Sequence, residues 1–216
     1  MYDICLVSNN DTKCFEVSRD TLSKQHDPEC EYMNWKILLV SSINRIRWVF
    51  ENPWRRLREI GITEGMRFLD VGCNLGFYSF PASSLVGESG LIYALDIDPD
   101  CLNWVASKAK RTHRSNIRTI NADAQRTGLP DENVEIVFVH LVLHDIKDKP
   151  VAIKEFYRVL KAGNKLVIDE ENVMSTKEVR NLAEDGGFKF AGCLHKTTQV
   201  FRKPSRTRYQ HTKNPK

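Results

Sequence analysis

The chain has 216 residues, 41% hydrophobic and 28% charged, enough to bury the core of one α/β domain with short appendages. No apolar stretch approaches the length of a membrane span. The opening Met-Tyr-Asp-Ile-Cys lacks a basic region followed by an apolar core, so a cytoplasmic protein without membrane insertion is expected. The net charge of +4 is uneven, with one basic run from Lys108 to Arg118 and an acid-free tail from Arg202 onward.

The first 50 residues carry no motif. Glu31 to Phe50 mixes Tyr32, Trp35, Ile37, Leu38, Ile43, Ile46, Trp48 and Phe50 and reads as one or two helices, a spacing that most often serves a core. The six cysteines fall at 5, 14, 30, 73, 101 and 193 with no close pairs, and reduced thiols are the expectation for a chain with this much core. Cys5, Cys14, His26 and Cys30 could in principle gather around zinc, but no Cys-x-x-Cys pair occurs and no metal is expected.

From residue 50 onward strands and helices alternate, which predicts a parallel sheet. Pro53 to Ile60 reads as a helix and Phe68 to Val71 as a first strand. The run Met66-Arg-Phe-Leu-Asp70-Val-Gly72-Cys-Asn74-Leu-Gly76 then turns at once toward a helix from Tyr78. Such a turn needs residues without a Cβ where the backbone bends and where a ligand lies against it. A dinucleotide fingerprint would put glycines at the first, third and sixth positions of the turn, which here are Gly72, Asn74 and Phe77. Only the first matches.

The pattern Asp70-x-Gly72-x-Asn74-x-Gly76 instead resembles the acidic-x-Gly-x-Gly-x-Gly loop of class I S-adenosylmethionine-dependent methyltransferases. Asn74 stands where that family has its middle glycine. Asparagine is the non-glycine residue best suited to positive φ, so the turn survives the exchange, with a carboxamide beside the methionine part of the cofactor. The bland alternative is a strand-to-helix turn that binds nothing.

A second strand, Leu91 to Asp96, supplies the carboxylate that a nucleotide site needs about 20 residues after its loop, at the end of the next strand, for the ribose hydroxyls. Asp96 takes that role, because Asp98-Pro99 reads as an N-cap and first residue of a helix running to about Arg111. A third strand, Ile117 to Asn121, ends in Ala122-Asp123-Ala124, and the resemblance implies that Asp123 accepts a hydrogen bond from the adenine amino group. It also puts Ile97 and Ala124 in the cofactor-binding set with Asp70, Gly72, Asn74, Gly76, Asp96 and Asp123.

A fourth strand, Val134 to Val139, runs into His140-Leu-Val-Leu-His144-Asp145, the segment that lies beside the reactive methyl group in this family. His144 is the candidate general base, since an imidazole accepts a proton near neutral pH, and His140 is expected to line the cofactor or substrate pocket and joins the cofactor-binding set. A helix from about Pro150 to Leu160 and the turn Arg158-Val-Leu-Lys-Ala-Gly-Asn164 precede a fifth strand, Lys165 to Asp169, with Asn164 expected at positive φ. Asp169 and Glu170 at its end could hold a cationic substrate or share base duty, but acidic residues after a strand more often are solvated or cap the next element, and the solvated reading is the expectation. Ser175-x-x-Glu178 reads as a capping box, and strands near Phe188 to Cys193 and Thr197 to Arg202 form a closing hairpin.

These elements predict a Rossmann-like three-layer α/β sandwich with a seven-stranded, mostly parallel sheet ending in an antiparallel hairpin. The implied division is residues 1–50 as a helical extension or substrate lid, 51–203 as the methyltransferase domain and 204–216 as a basic, disordered tail. The implied cofactor is S-adenosyl-L-methionine and the implied partner a small-molecule methyl acceptor, in the branch of quinone-biosynthesis and arsenite methyltransferases. His140-Leu-Val-Leu143 replaces the Asp/Asn-Pro-Pro-aromatic motif of enzymes that methylate nucleobase amines. Two alternatives stay open: methylation of RNA or a ribosomal protein, served by the basic tail, and a non-catalytic domain that binds the cofactor as a signal.

Overall fold

The computed structural model describes residues 51–171 and 173–205, together with a two-strand pairing of Val7–Ser8 with Asp11–Thr12. That pairing belongs to a unit spanning Met1–Leu38, separate from the unit Leu39–Lys216 that carries everything below. The expected helices between residues 31 and 50, the residues Cys5, Cys14, His26 and Cys30, and the tail beyond Ser205 lie outside the described residues.

Helix α1, Pro53–Ile60, starts where the Asn52 side chain accepts the Arg55 N–H and proline occupies the first turn, and it stops at Gly61 with φ 85°. Its buried residues Pro53, Leu57 and Ile60 share one face. The sheet is built from β1 (Arg67–Val71), β2 (Leu91–Asp96), β3 (Ile117–Asn121), β4 (Val134–His140), β5 (Leu160–Asp169), β6 (Lys189–Cys193) and β7 (Thr198–Arg202). Helices α2 (Ser79–Val86), α3 (Pro99–Arg111), α4 (Lys149–Val159) and α5 (Thr176–Asp185) alternate with the strands. Their order across the sheet is β3-β2-β1-β4-β5-β7-β6. The first five strands are parallel and β7 is antiparallel to both neighbours.

Residues along the central strands alternate between two apolar layers. Phe68, Ile92, Ile136, Phe138 and Val167 face the layer that includes Leu57 and Ile60 of α1. Leu69, Leu95, Val137, Val139 and Ile168 face the opposite one, against Ile153 and Phe156 of α4. Strands covered on both faces are near-continuously apolar, as β1 and β4 are in sequence. The predicted three-layer sandwich and its antiparallel end are therefore present, and among the described residues no helix is long and apolar enough to cross a membrane.

The chain builds β1, β2 and β3 outward in one direction and then returns to lay β4 on the other side of β1. The carboxyl ends of β1 and β4 thus flank the topological switch point, where open α/β sheets bind ligands. Two local expectations fail near β5. The strand begins at Leu160, directly after α4, because Leu160 already pairs with Val134. Asn164 lies inside this strand and is not at positive φ; Gly163 takes the left-handed conformation instead, at φ 78°. A neighbour without a Cβ absorbs the bend more cheaply than asparagine. Lys203 closes this corner: its N–H donates to the Asn164 carbonyl, and its buried ammonium donates to the carbonyls of Tyr157 and Leu160 at 2.8 and 2.7 Å.

Candidate functional site

The loop after β1 is a chain of left-handed residues: Gly72 at φ 68°, Asn74 at 49° and Gly76 at 73°. Asn74 thus adopts the positive φ expected of it. A Cβ on Gly72 would lie 2.6 Å from Cγ2 of Val142, so the glycine lets the loop after β4 press against the loop after β1. Beneath the turn, the Asp70 carboxylate accepts the Ser79 hydroxyl at 2.5 Å, and burial, with Asp96 nearby, pushes its pKa up to about 7.

Asp96, half-buried at the end of β2, ties these loops together. One of its oxygens accepts the Asn74 N–H at 2.8 Å and the other the Asp98 N–H at 3.0 Å. Asp98 accepts the Asp100 N–H at 2.9 Å, which makes it the expected N-cap of α3. Each Asp96 oxygen keeps a second acceptor position, the requirement for gripping a ribose diol. Ile97 follows at 74% exposure, an apolar surface that nothing in the domain covers to the usual degree. Asn121 donates to the carbonyls of Asp96 and Ile97 at 3.2 and 3.0 Å, a strut that sequence reasoning missed. Asp123, on the loop after β3, is exposed and accepts the backbone N–H and side-chain amide of Gln125, both at 2.8 Å, while Ala124 is buried. The residues present fit an adenosine: a carboxylate for the diol, an apolar surface beside it and a carboxylate beyond.

Across the switch point, β4 ends in His140, whose ring stacks on Phe138 with an interplanar angle of 9° and meets Tyr78 edge-on. Its Nδ1 lies 3.5 Å from Asp169 Oδ2. Asp169 is fully buried, 2.6 Å from the Arg56 guanidinium, and accepts the hydroxyls of Thr197 and Thr198 at 2.9 and 2.8 Å. Burial alone would raise its pKa; hydrogen bonds from His140 and Thr198 and the Arg56 charge outweigh it and hold the carboxyl well below the usual range. Glu51 completes the cluster by accepting from Arg56 and from the Tyr78 hydroxyl.

His144 sits in a short turn, Leu143–Asp145, with its side chain 28% exposed and Nδ1 2.6 Å from Glu170 Oε2. Glu170 is 2% exposed, and its Oε1 accepts the backbone N–H groups of Val142 and Leu143 at 2.9 and 2.5 Å. The expectation that Asp169 and Glu170 are solvated is thus overturned. Both are buried because each meets enough donors, charged or backbone, to satisfy its oxygens. No local sequence signal could have shown this, because the parallel pairing of two strands is what sets His140 beside Asp169. Among the described residues no group of three or more His, Cys, Asp or Glu side chains could hold a metal ion.

Comparison with known proteins agrees with this geometry. Residues 69–168 match the family model described as a methyltransferase domain. Demethylmenaquinone methyltransferase of Staphylococcus aureus (strain MRSA252) is 30% identical over 126 residues, 57% of this chain and 52% of that protein. The Geobacillus sp. (strain WCH70) protein of the same name is 29% identical over 116 residues, 53% of this chain and 50% of that one. The chain thus spans about half the length of the curated relatives it matches. A SAM-dependent methyltransferase from Aquifex aeolicus superposes with a TM-score of 0.66 at 27% identity, covering 74% of this chain and 95% of that one. An arsenic (III) S-adenosylmethionine methyltransferase from Chlamydomonas reinhardtii, at 19% identity and a TM-score of 0.56 over 68% of this chain and 66% of that one, shares the fold. With the strand order, the glycine loop and Asp96 in place, residues 69–168 carry the match to a methyltransferase domain, and the fold is similar to that of an S-adenosylmethionine-dependent methyltransferase.

Proposed function

We propose that this domain transfers a methyl group from S-adenosylmethionine to a small acceptor bearing an O–H or N–H, with His144 receiving the acceptor's proton. The observation that carries the reading is the Asp96 carboxylate, fixed by Asn74 and Asp98 at the switch point, with the His144 turn pressed against the same loop through Val142 and Gly72. In this reading Asp96 holds the ribose, Asp123 the adenine amino group, and Ile97 and Ala124 the adenine faces. The Gly72–Asn74–Gly76 turn cradles the methionine part, Asp70 braces that turn from below, and His140 forms a wall of the pocket.

When bound, the cofactor supplies an electrophilic methyl on a sulfonium and leaves as S-adenosylhomocysteine. The chain's own task is to hold the acceptor in line, exclude water and take one proton onto an imidazole nitrogen, so that the sulfonium's positive charge ends on the imidazolium. Asp145 Oδ2, on a 76% exposed side chain 3.3 Å from Nε2, is placed to pair with that imidazolium.

A reduced quinone ring is the acceptor class to test first, since the curated relatives of highest similarity quoted above carry the name demethylmenaquinone methyltransferase. RNA gains no comparable support: Lys108, which opens the basic run, lies over the rings of Phe80 and Trp104 at 4.2 and 4.6 Å. The test is calorimetric titration with S-adenosylmethionine, S-adenosylhomocysteine and NAD, followed by an assay for S-adenosylhomocysteine released with a naphthoquinol. Saturable binding of the first two alone, with acceptor-dependent release, upholds the reading. Binding without release for any protic acceptor turns it toward a cofactor-sensing domain.

A further inference from the structure

We propose that Glu170 is a positioning residue that locks His144 in the tautomer protonated at Nδ1, leaving Nε2 as the ring's only proton acceptor. The inference rests on the reading of His144 above and adds the group that orients it.

Three consecutive N–H groups carry the geometry. Leu141 has a left-handed backbone at φ 52°, rare for a branched side chain, and its N–H donates to the Asp169 carbonyl at 2.9 Å. The next two, on Val142 and Leu143, converge on a single oxygen, Glu170 Oε1. Successive N–H groups around a left-handed residue form a concave anion site, and here the anion is the chain's own carboxylate. The strain at Leu141 lies at the carboxyl end of β4, where the turn toward His144 begins, and strain persists where surrounding bonds over-determine it.

This arrangement removes the ambiguity that a histidine normally presents. Backbone N–H groups can only donate, so Oε1 must accept. An ionised carboxylate has no donor of its own, so Oε2 must accept as well. The ring nitrogen 2.6 Å from Oε2 is therefore the one bearing hydrogen. Nε2 is left with its lone pair, 3.3 Å from Oδ2 of the largely exposed Asp145. Two other charged groups adjoin the turn. Asp145 is largely exposed and faces Nε2, and Lys149 donates to the backbone carbonyls of His144 and Ile146, away from the ring nitrogens. Neither dictates the tautomer, because Asp145 is free to swing into solvent while Glu170 is not.

Glu170→Gln makes a sharp test, because the amide is nearly the same shape. Its oxygen must stay with the Val142 and Leu143 N–H groups, which preserves the turn. Its NH2 then faces Nδ1, which must become an acceptor, and the ring must carry its proton on Nε2. The single exchange thus inverts the tautomer without removing the histidine.

The experiment is nitrogen-15 NMR of histidine-labelled protein at a pH where His144 is neutral, assigned with His144→Gln. The expected result is a protonated Nδ1 and bare Nε2 in the parent and the reverse in Glu170→Gln, with S-adenosylmethionine binding unchanged by calorimetry. Methyl transfer to a naphthoquinol is expected to fall by about a hundredfold or more. A parent ring protonated at Nε2, or a ring unmoved by Glu170→Gln, overturns the positioning role; the parent spectrum alone decides it where the variant does not fold. Failure of the underlying reading looks different: the ring inverts in Glu170→Gln, yet the naphthoquinol is methylated at the parental rate.

Discussion

The Arg56 guanidinium on α1 stands 2.6 Å from the Asp169 carboxylate at the end of β5, and the two side chains are 14% and 0% exposed. Arg56→Ala would leave that carboxylate buried beside Glu51 without its cation. The expected cost is about 3 kcal/mol or more, read from urea denaturation at neutral pH. Because the folded pKa of Asp169 is depressed, its stabilising contribution is present above the unfolded value of about 3.9 and lost as pH falls through the folded value. Arg56→Ala shrinks that gap, so acid unfolding of the variant is expected to begin at a higher pH than in the parent.

Asp70 has the opposite sign. Its folded pKa is raised to about 7, so the folded state binds the proton more tightly than the unfolded chain does. Its contribution is full below the unfolded value near 3.9 and is lost as pH rises through the folded one, at up to about 1.4 kcal/mol per pH unit between them. Asp70→Asn, which still accepts from Ser79, should flatten the stability profile between those limits, measured by denaturation across the pH range.

Asp96→Ala should weaken S-adenosylmethionine binding by about 1.5 to 3 kcal/mol, because the ribose bonds and the Asn74 tether go together. Calorimetric titration gives the number directly. Unchanged affinity would remove Asp96 from the site.

Gly72→Ala should destabilise by about 1 to 3 kcal/mol through overpacking on Val142, in addition to the cost of a side chain at φ 68°. Val142→Ala should recover the first part and not the second. A double-mutant cycle in thermal or urea unfolding separates them, with a favourable coupling energy as the expected result.

What sequence made legible is what lies close along the chain. The strand running into Gly72, the Asp98-Pro99 cap and the alternation that builds the sheet are short-range patterns, and each holds in the structure. Asn74 could be read because the left-handed conformation is a local preference. Asn164 could not, since Gly163 competes for the same bend and wins without cost. The burial of Asp169 and Glu170 was illegible for a different reason. Their donors come from Arg56, from Thr197 and Thr198, and from the backbone of Val142 and Leu143, groups remote in sequence that only the assembled sheet brings to one edge.

The lysine that locks the Tyr157–Leu160 corner also fixes where the chain departs from the sheet. Lys203 follows β7, whose Arg202 pairs with Lys165 midway along β5, and its ammonium holds the Leu160 carbonyl at the start of that strand, whereas Asp96, His140 and Glu170 stand at the carboxyl ends of the parallel strands. A surface tether or affinity handle joined at this point therefore pulls on the sheet away from the carboxyl ends of its parallel strands. Such a tether leaves the carboxyl ends of the parallel strands, where Asp96, His140 and Glu170 stand, without direct strain.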